Sequence, residues 1–301
     1  IMDVLEQTYK VHHYWKTADR EAFVQEIAPV VRGIASTGVH GCTSDLMDAL
    51  PKLEIIAVNG IGVDAVDLAK AKARGIPVTV TPDVLTEDVA DLAVALMINV
   101  SRRIVLADQY VRSGAWARTR QEMPIARKVS GKRVGILGLG RVGKAVARRL
   151  EAMNMHVSYV DVIANPEPAY RKCADIIELA RDNDFFVITA AASSATRKLV
   201  NKEVLEAIGP EGTLVNVARG SILDEEALVT ALQEGKLGAA ALDVFADEPN
   251  VPEALFTMPN VVLTPHIASG TLETRQAMGE LVIKNLEAHF AGKPLLTPFP
   301  Y

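Results

Sequence analysis

Three β-like runs in the last third of the chain are each followed by side chains able to do chemistry. Arg219 follows "TLVNV", Asp243 and Glu248 follow "GAAAL", and His266 follows "NVVLT". An arginine, an acid and a histidine at consecutive strand ends suit a carbonyl carbon that receives a hydride. Negative charge then develops on the carbonyl oxygen, which needs a proton and an electrostatic clamp. A histidine can supply the proton, an effect typically worth roughly 10²–10⁴-fold. A neighbouring carboxylate fixes the histidine tautomer and favours its protonated form. A guanidinium can hold the oxygen and a substrate carboxylate together, with a planar geometry that lysine lacks. Each residue also has a plainer reading: Arg219 paired with Asp224, Glu248 solvated in a "DEP" turn, His266 capping its own loop. Their occurrence at successive strand ends favours the joint chemical reading.

Upstream, "GLGRVG" sets Gly138, Gly140 and Gly143 in the pattern G-x-G-x-x-G. The first permits a tight turn, the second lets a pyrophosphate approach the backbone, and the third lets helix pack on strand. A helix opening at Arg141 and Val142 aims N–H groups and its positive end at the phosphates. Alone the pattern is weak. Here a strand-like run precedes it, an amphipathic segment follows, and the next strand ends at Asp161, 18 residues beyond the last glycine. That is close to the spacing of about 20 expected of a ribose-binding acid. A carboxylate there accepts from both ribose hydroxyls of NAD and repels the 2′-phosphate of NADP. Val162 stands where an NADP site often has an arginine. The residues therefore favour NAD, with NADP as the lesser option.

The elements that must position these groups are legible as periodicity. Strand-like runs at 30–35, 53–58 and 76–80 form one series, and runs at 133–137, 156–160, 184–189, 213–217, 238–242 and 260–264 form another. Amphipathic segments separate them, which predicts α/β architecture with two doubly wound parallel sheets. Two long helices are expected to join the units. One starts near Thr86, followed by Glu87 and Asp88 at its positive end, and runs to about Gly114. The other starts near Thr271 and stops at "HFAGKP". The expected domains are 1–98 with 286–301 for substrate, and 99–285 for the dinucleotide.

Composition narrows the classes. A length of 301 residues allows two cores. A formal net charge of −5 argues against nucleic acid or an anionic membrane as main partner. Two cysteines, Cys42 and Cys173, predict no disulfide framework and a reducing, cytoplasmic setting. No apolar run reaches the roughly 20 residues of a membrane span, and no metal site is expected. The N-terminus lacks the regions of a signal peptide, and Ile1 ahead of Met2 reads as a cloning remnant.

On "GLGRVG", "NVARGSILDEEAL", "GAAALDVFADEP" and "LTPHIASGT", the chain resembles the D-isomer-specific 2-hydroxyacid dehydrogenases over essentially its whole length. "TPDVLTEDVADLA", "RSGAWA", "SGTLETRQAM" and "NLEAHFAGKPLLTP" point to the branch of glyoxylate, hydroxypyruvate and hydroxyphenylpyruvate reductases. The resemblance implies a Rossmann cofactor domain and a flavodoxin-like substrate domain. It implies Arg219 as substrate-binding residue, Glu248 as histidine partner and His266 as acid/base. It also places Ala218, Asp243 and His266 beside the cofactor, Asp243 at the nicotinamide carboxamide. "AVNGIGVD" resembles the loop that grips the substrate carboxylate, here Asn59 and Gly60. A two-fold homodimer is implied as well, with Trp116 in the region that meets the partner.

Two departures from the family pattern matter. Where relatives carry a "PLT" loop, this chain reads "ITAAASSATRKLV", so Ala190 to Ala192 offer backbone only. Several relatives carry serine and arginine in place of Asp161 and Val162 and use NADPH. A formate dehydrogenase would carry a Gln–His arrangement rather than the Glu–His pair. The alternative from another class is a dinucleotide-sensing binding module, like the corepressors that share this fold.

Overall fold

The computed structural model describes residues 1–119, 122–161 and 169–300. The chain forms two compact units, Ile1–Leu85 with Gly270–Tyr301, and Thr86–Ser269. The first begins with α1 (Met2–Thr8) and α2 (Arg20–Ile27), then β1 (Gly33–Thr37), α3 (Ser44–Ala49), β2 (Ile55–Asn59), α4 (Leu68–Ala73) and β3 (Val78–Thr79). The helices α2, α3 and α4 start where the side chains of Asp19, Thr43 and Asp67 accept N–H groups of the first turn. The three strands are parallel, in the order β1-β2-β3.

The second unit carries α5 (Thr86–Arg102), α6 (Ile104–Arg112), α7 (Ala115–Thr119), β4 (Arg133–Leu137), α8 (Arg141–Ala152), β5 (His156–Val160) and β6 (Arg171–Lys172). It continues through α9 (Ile176–Arg181), β7 (Phe185–Ile188), α10 (Lys202–Ile208), β8 (Thr213–Asn216), α11 (Glu225–Gln233), β9 (Ala239–Leu242) and β10 (Val261–Leu263). The chain then returns to the first unit as α12 (Leu272–Phe290).

Alternation along β2 explains how the first unit is built. Ile56 and Val58 join a core with Val24, Met47 and Ala71 from α2, α3 and α4. Ile55 and Ala57 point the other way, onto Leu5 of α1 and Val282, Ile283 and Leu286 of α12. Both faces are covered, so the strand is apolar from Ile55 to Val58. The sheet of the second unit is all parallel, in the order β10-β9-β8-β7-β4-β5-β6. From β4 the chain builds outward through β5 and β6, then crosses back to β7 and builds the other way. Between β4 and β7 lies the switch point, where such sheets leave a crevice beyond their carboxyl ends.

All nine strand-like runs overlap strands, and two sequence expectations need correction. The first long helix is not continuous. Arg103 takes a left-handed conformation, φ 55°, because the helix ladder is diverted there. The Ser101 carbonyl, which would accept the Val105 N–H, accepts that of Arg127 at 3.0 Å. The Val105 N–H turns instead to Asn99 Oδ1 at 3.2 Å. The units also divide at 85/86 and 269/270, not at 98/99 and 285/286. Whole helices go with their packing partners: α5 is tied to α8 by Arg149, which pairs with Glu87 at 2.8 Å and Asp91 at 2.6 Å, and α12 lies on β2. Among the described residues, no helix is long and apolar enough to cross a membrane, and no cluster of His, Cys, Asp and Glu could hold a metal ion.

Candidate active site

The glycine loop follows β4, at the switch point. Gly138 has φ 94°, and a Cβ on it would lie 2.5 Å from the Ala190 Cα. A Cβ on Gly143 would lie 2.2 Å from the Gly138 oxygen. The chain's own packing thus requires glycine at both positions. A Cβ on Gly140 would meet nothing within 4 Å. Protein packing does not demand glycine there, whereas the close approach of a pyrophosphate does. Gly140 also caps α8 without a side-chain bond, which leaves the helix start to offer the amides of Arg141 and Val142 to an anion. These features fit a dinucleotide.

Two bonds fix the loop. Thr189, at the end of β7, donates its hydroxyl to the Gly138 carbonyl at 2.6 Å. Asp161 accepts the Leu139 N–H on one carboxylate oxygen at 2.7 Å. The acid expected at the ribose therefore also holds the glycine loop in place. Val162 lies outside the described residues. In the alanine-rich segment, Ala190 packs on Gly138, and Thr196 closes the turn by donating to the Ala191 carbonyl at 3.0 Å.

The three polar residues arise beyond β8, β9 and β10, all within this unit. Asn216, fully buried at the end of β8, donates to the Arg219 carbonyl and accepts the Ala218 N–H, each at 3.0 Å. It pins the turn that carries Arg219, whose Nη1 donates to the Ala218 carbonyl at 2.7 Å. A Cβ on Gly220 would lie 1.9 Å from the Phe245 carbonyl carbon, so the Arg219 turn sits directly on the segment leading to Glu248.

Asp243 is fully buried and organises the histidine segment. Its Oδ1 accepts from Thr264 Oγ1 at 2.6 Å and from the Ile267 N–H at 2.9 Å. Its Oδ2 accepts the Ala268 N–H at 3.0 Å, and its backbone carbonyl the His266 N–H at 2.8 Å. Burial pushes this carboxyl above its ordinary range, against the pull of those donors. His266 itself has φ 53°, an unusual value for a residue with a side chain.

Glu248 and His266 meet, with Nδ1 2.7 Å from Oε2, while Glu248 Oε1 accepts the Phe245 N–H at 3.0 Å. Burial acts to raise the Glu248 carboxyl. The hydrogen bonds from His266 and Phe245, with the charges of His266 and Arg219, outweigh it and hold the group below its usual range. An ionised Glu248 can only accept, so Nδ1 donates to it and Nε2 remains for a ligand. The fields of Arg219 and His266 both reach Glu248, which brings the three predicted residues to one place.

The Glu248 carboxylate sets its negative charge directly beside an imidazole able to supply the proton of a reduction. Reduction consumes that proton, so the rate falls at the alkaline limb. Glu248→Gln keeps an acceptor for Nδ1 and removes the charge. The alkaline limb of reductive kcat/KM should move to lower pH, and an unmoved profile would take the pair out of the mechanism. The pair's share of folding stability has its own sign: with the carboxyl pKa lowered, it is present above the unfolded value and lost as pH falls through the folded one.

In the other unit, Asn59 ends β2 and Gly60 follows with φ 153°. The Gly60 carbonyl accepts the Thr81 N–H at 2.8 Å. Asn59 Oδ1 and Thr81 Oγ1 are both buried without a hydrogen-bond partner. Such orphaned atoms typically cost about 1–3 kcal/mol each. Nothing in the sequence singles out Asn216, Gly220, Thr264 or Thr81 as part of the site. Each is a small or polar residue at a strand end, the same signal that an ordinary turn gives.

The family description "D-isomer specific 2-hydroxyacid dehydrogenase, NAD binding domain" matches residues 94–268. The chain belongs to this family of NAD(P)-dependent oxidoreductases. It is 48% identical to a hydroxyphenylpyruvate reductase of Plectranthus scutellarioides over 98% of this chain and 93% of that protein. Among solved structures, it resembles a 2-hydroxyacid dehydrogenase from Ketogulonicigenium vulgare Y25, with a TM-score of 0.92 and 50% identity over 99% of this chain and 94% of that one. It also resembles an NADPH-dependent glyoxylate/hydroxypyruvate reductase from Sinorhizobium meliloti in complex with NADP and malonate. That match has a TM-score of 0.87 and 43% identity over 95% of this chain and 87% of the other. The corepressor alternative finds no support among these relatives.

Proposed function

We propose that this chain reduces small 2-keto acids, glyoxylate and hydroxypyruvate foremost and aryl pyruvates second, to the D-2-hydroxy acids, with NADH preferred over NADPH. The observation that carries the proposal is the 2.7 Å Glu248–His266 contact within the field of Arg219. The nicotinamide, when bound, supplies a hydride to the keto carbon. Gly138, Gly140 and Gly143 hold its pyrophosphate with the amides of Arg141 and Val142. Asp161 takes the ribose, and Ala218, Asp243 and His266 lie along the nicotinamide end. Arg219 holds the substrate carboxylate and keto oxygen, His266 Nε2 gives that oxygen its proton, and Glu248 stabilises the charge His266 carries beforehand. Asn59 and Gly60 are assigned to binding of the substrate carboxylate through their loop.

A panel of keto acids with both cofactors tests this reading. NADH should give the larger kcat/KM, and Asp161→Ser with Val162→Arg should move the preference toward NADPH. Hydroxypyruvate should exceed pyruvate, because Asn59 stands where an aromatic side chain would narrow the pocket and so leaves room for the polar 3-hydroxyl. A roughly tenfold preference for NADPH would overturn the cofactor assignment, and equal rates with hydroxypyruvate and pyruvate the role of Asn59.

The assembly we propose is a two-fold homodimer. Val111 on α6 is 54% exposed and Trp116 on α7 is 63% exposed, apolar surface that a second subunit would cover. Light scattering should give twice the chain mass, and a concentration-independent monomer would exclude the dimer. Two free, buried cysteines support a reducing, cytoplasmic setting.

A further inference from the structure

Glu225, the first residue of α11, has no part in the chemistry described above, yet its carboxylate reaches out of its own helix. Its Oε1 accepts the Ala246 N–H at 2.8 Å. Ala246 neighbours Phe245, whose own N–H is taken by Glu248 Oε1. Two carboxylates thus hold successive amides of one turn: Glu248 from inside it, and Glu225 from the element that follows Arg219. The fit of Gly220 against Phe245 and Ala246 closes the same junction sterically, with a Cβ there 2.3 Å from the Ala246 nitrogen.

We propose that Glu225 is a positioning residue, clamping the Glu248 turn to the Arg219 segment so that Glu248 and His266 stay in register with the arginine. The proposal rests on the acid–histidine reading of the site. Holding a carboxylate here works against stability. Burial raises the Glu225 carboxyl first, the charges of Glu248 and Asp247 raise it further, and only the Ala246 N–H opposes them. On its own element Glu225 stands beside Asp224, which pairs with Lys198 at 3.3 Å, and beside Glu226. A neutral acceptor could make the same bond to Ala246 without the crowding. The charge instead adds to the negative field around Glu248.

Stability and catalysis therefore part company on substitution. With its folded pKa raised, Glu225 contributes stability below the unfolded value and loses it as pH rises through the folded one. Glu225→Gln should accordingly match or exceed the parent Tm at neutral pH, while the alkaline limb of reductive kcat/KM moves to lower pH. Glu225→Ala removes the clamp and should lower kcat about tenfold or more, with the KM for NADH within about twofold of the parent.

The test measures Tm, kcat, both KM values and the reductive pH profile for these two variants and for Glu248→Gln, all in the full-length protein. Wild-type kcat in Glu225→Ala would overturn the proposal. So would loss of Tm and kcat together in Glu225→Gln with its pH limb unmoved, the pattern of a purely structural residue. A limb that shifts in Glu248→Gln but not in Glu225→Gln discards the role of Glu225 alone. A limb unmoved in Glu248→Gln discards the underlying acid–histidine reading, and the proposal with it.

Discussion

His266→Ala should lower kcat by roughly 10²–10⁴-fold in both directions, the span typical of losing a positioned acid–base group. The structure explains why the loss should fall on kcat. His266 Nδ1 is committed to Glu248, its backbone is fixed through Asp243, and the glycine loop that takes the phosphates rests on Thr189 and Asp161 instead. Affinity for NADH should stay within about threefold of the parent, because the cradle and the acid–base group share no anchoring bond. Binding is read by fluorescence titration and turnover by nicotinamide absorbance. A variant that kept its kcat, or that lost NADH binding in proportion, would show that His266 is structural.

Arg219→Lys should cost roughly 10–100-fold in kcat/KM for the keto acid, carried mainly by KM. The substitution keeps a positive charge but loses the planar fork that can hold two oxygens together, and a hydrogen bond to a charged partner is worth about 1.5–3 kcal/mol. The Asn216 side chain bonds only main-chain groups of the turn, so the backbone there should survive the change. Steady-state kinetics at fixed saturating NADH checks this. Unchanged KM would mean that Arg219 does not touch the substrate.

Much of this architecture could be read from the chain because local chemistry leaves no choice. Gly138 and Gly143 tolerate no side chain, and β2 must be apolar on both faces, so each leaves a mark at its own position. What the sequence hides is decided at a distance. The break at Arg103 comes from an amide 24 residues on, Arg127, taking the carbonyl that the helix needed. The strand β6 consists of Arg171 and Lys172, a charged pair whose only strand signal is its pairing with Ser158 and Tyr159. Resemblance alone assigns Asp243 to the cofactor. Its bonds to Thr264, Ile267 and Ala268 span more than 20 residues, and no spacing rule reveals them. The catalytic residues were legible for a different reason: each follows a recognisable strand, and consecutive strands of a parallel sheet end on the same side.

The most direct test mixes NADH-loaded protein with hydroxypyruvate, follows the loss of reduced-nicotinamide absorbance in a single turnover, and determines the handedness of the product. Wild type should bleach and yield only the D-hydroxy acid, while His266→Ala, loaded to the same extent, should bleach slower by roughly 10²-fold or more. Bleaching at equal rates in both proteins, or formation of the L-hydroxy acid by the wild type, would contradict the account.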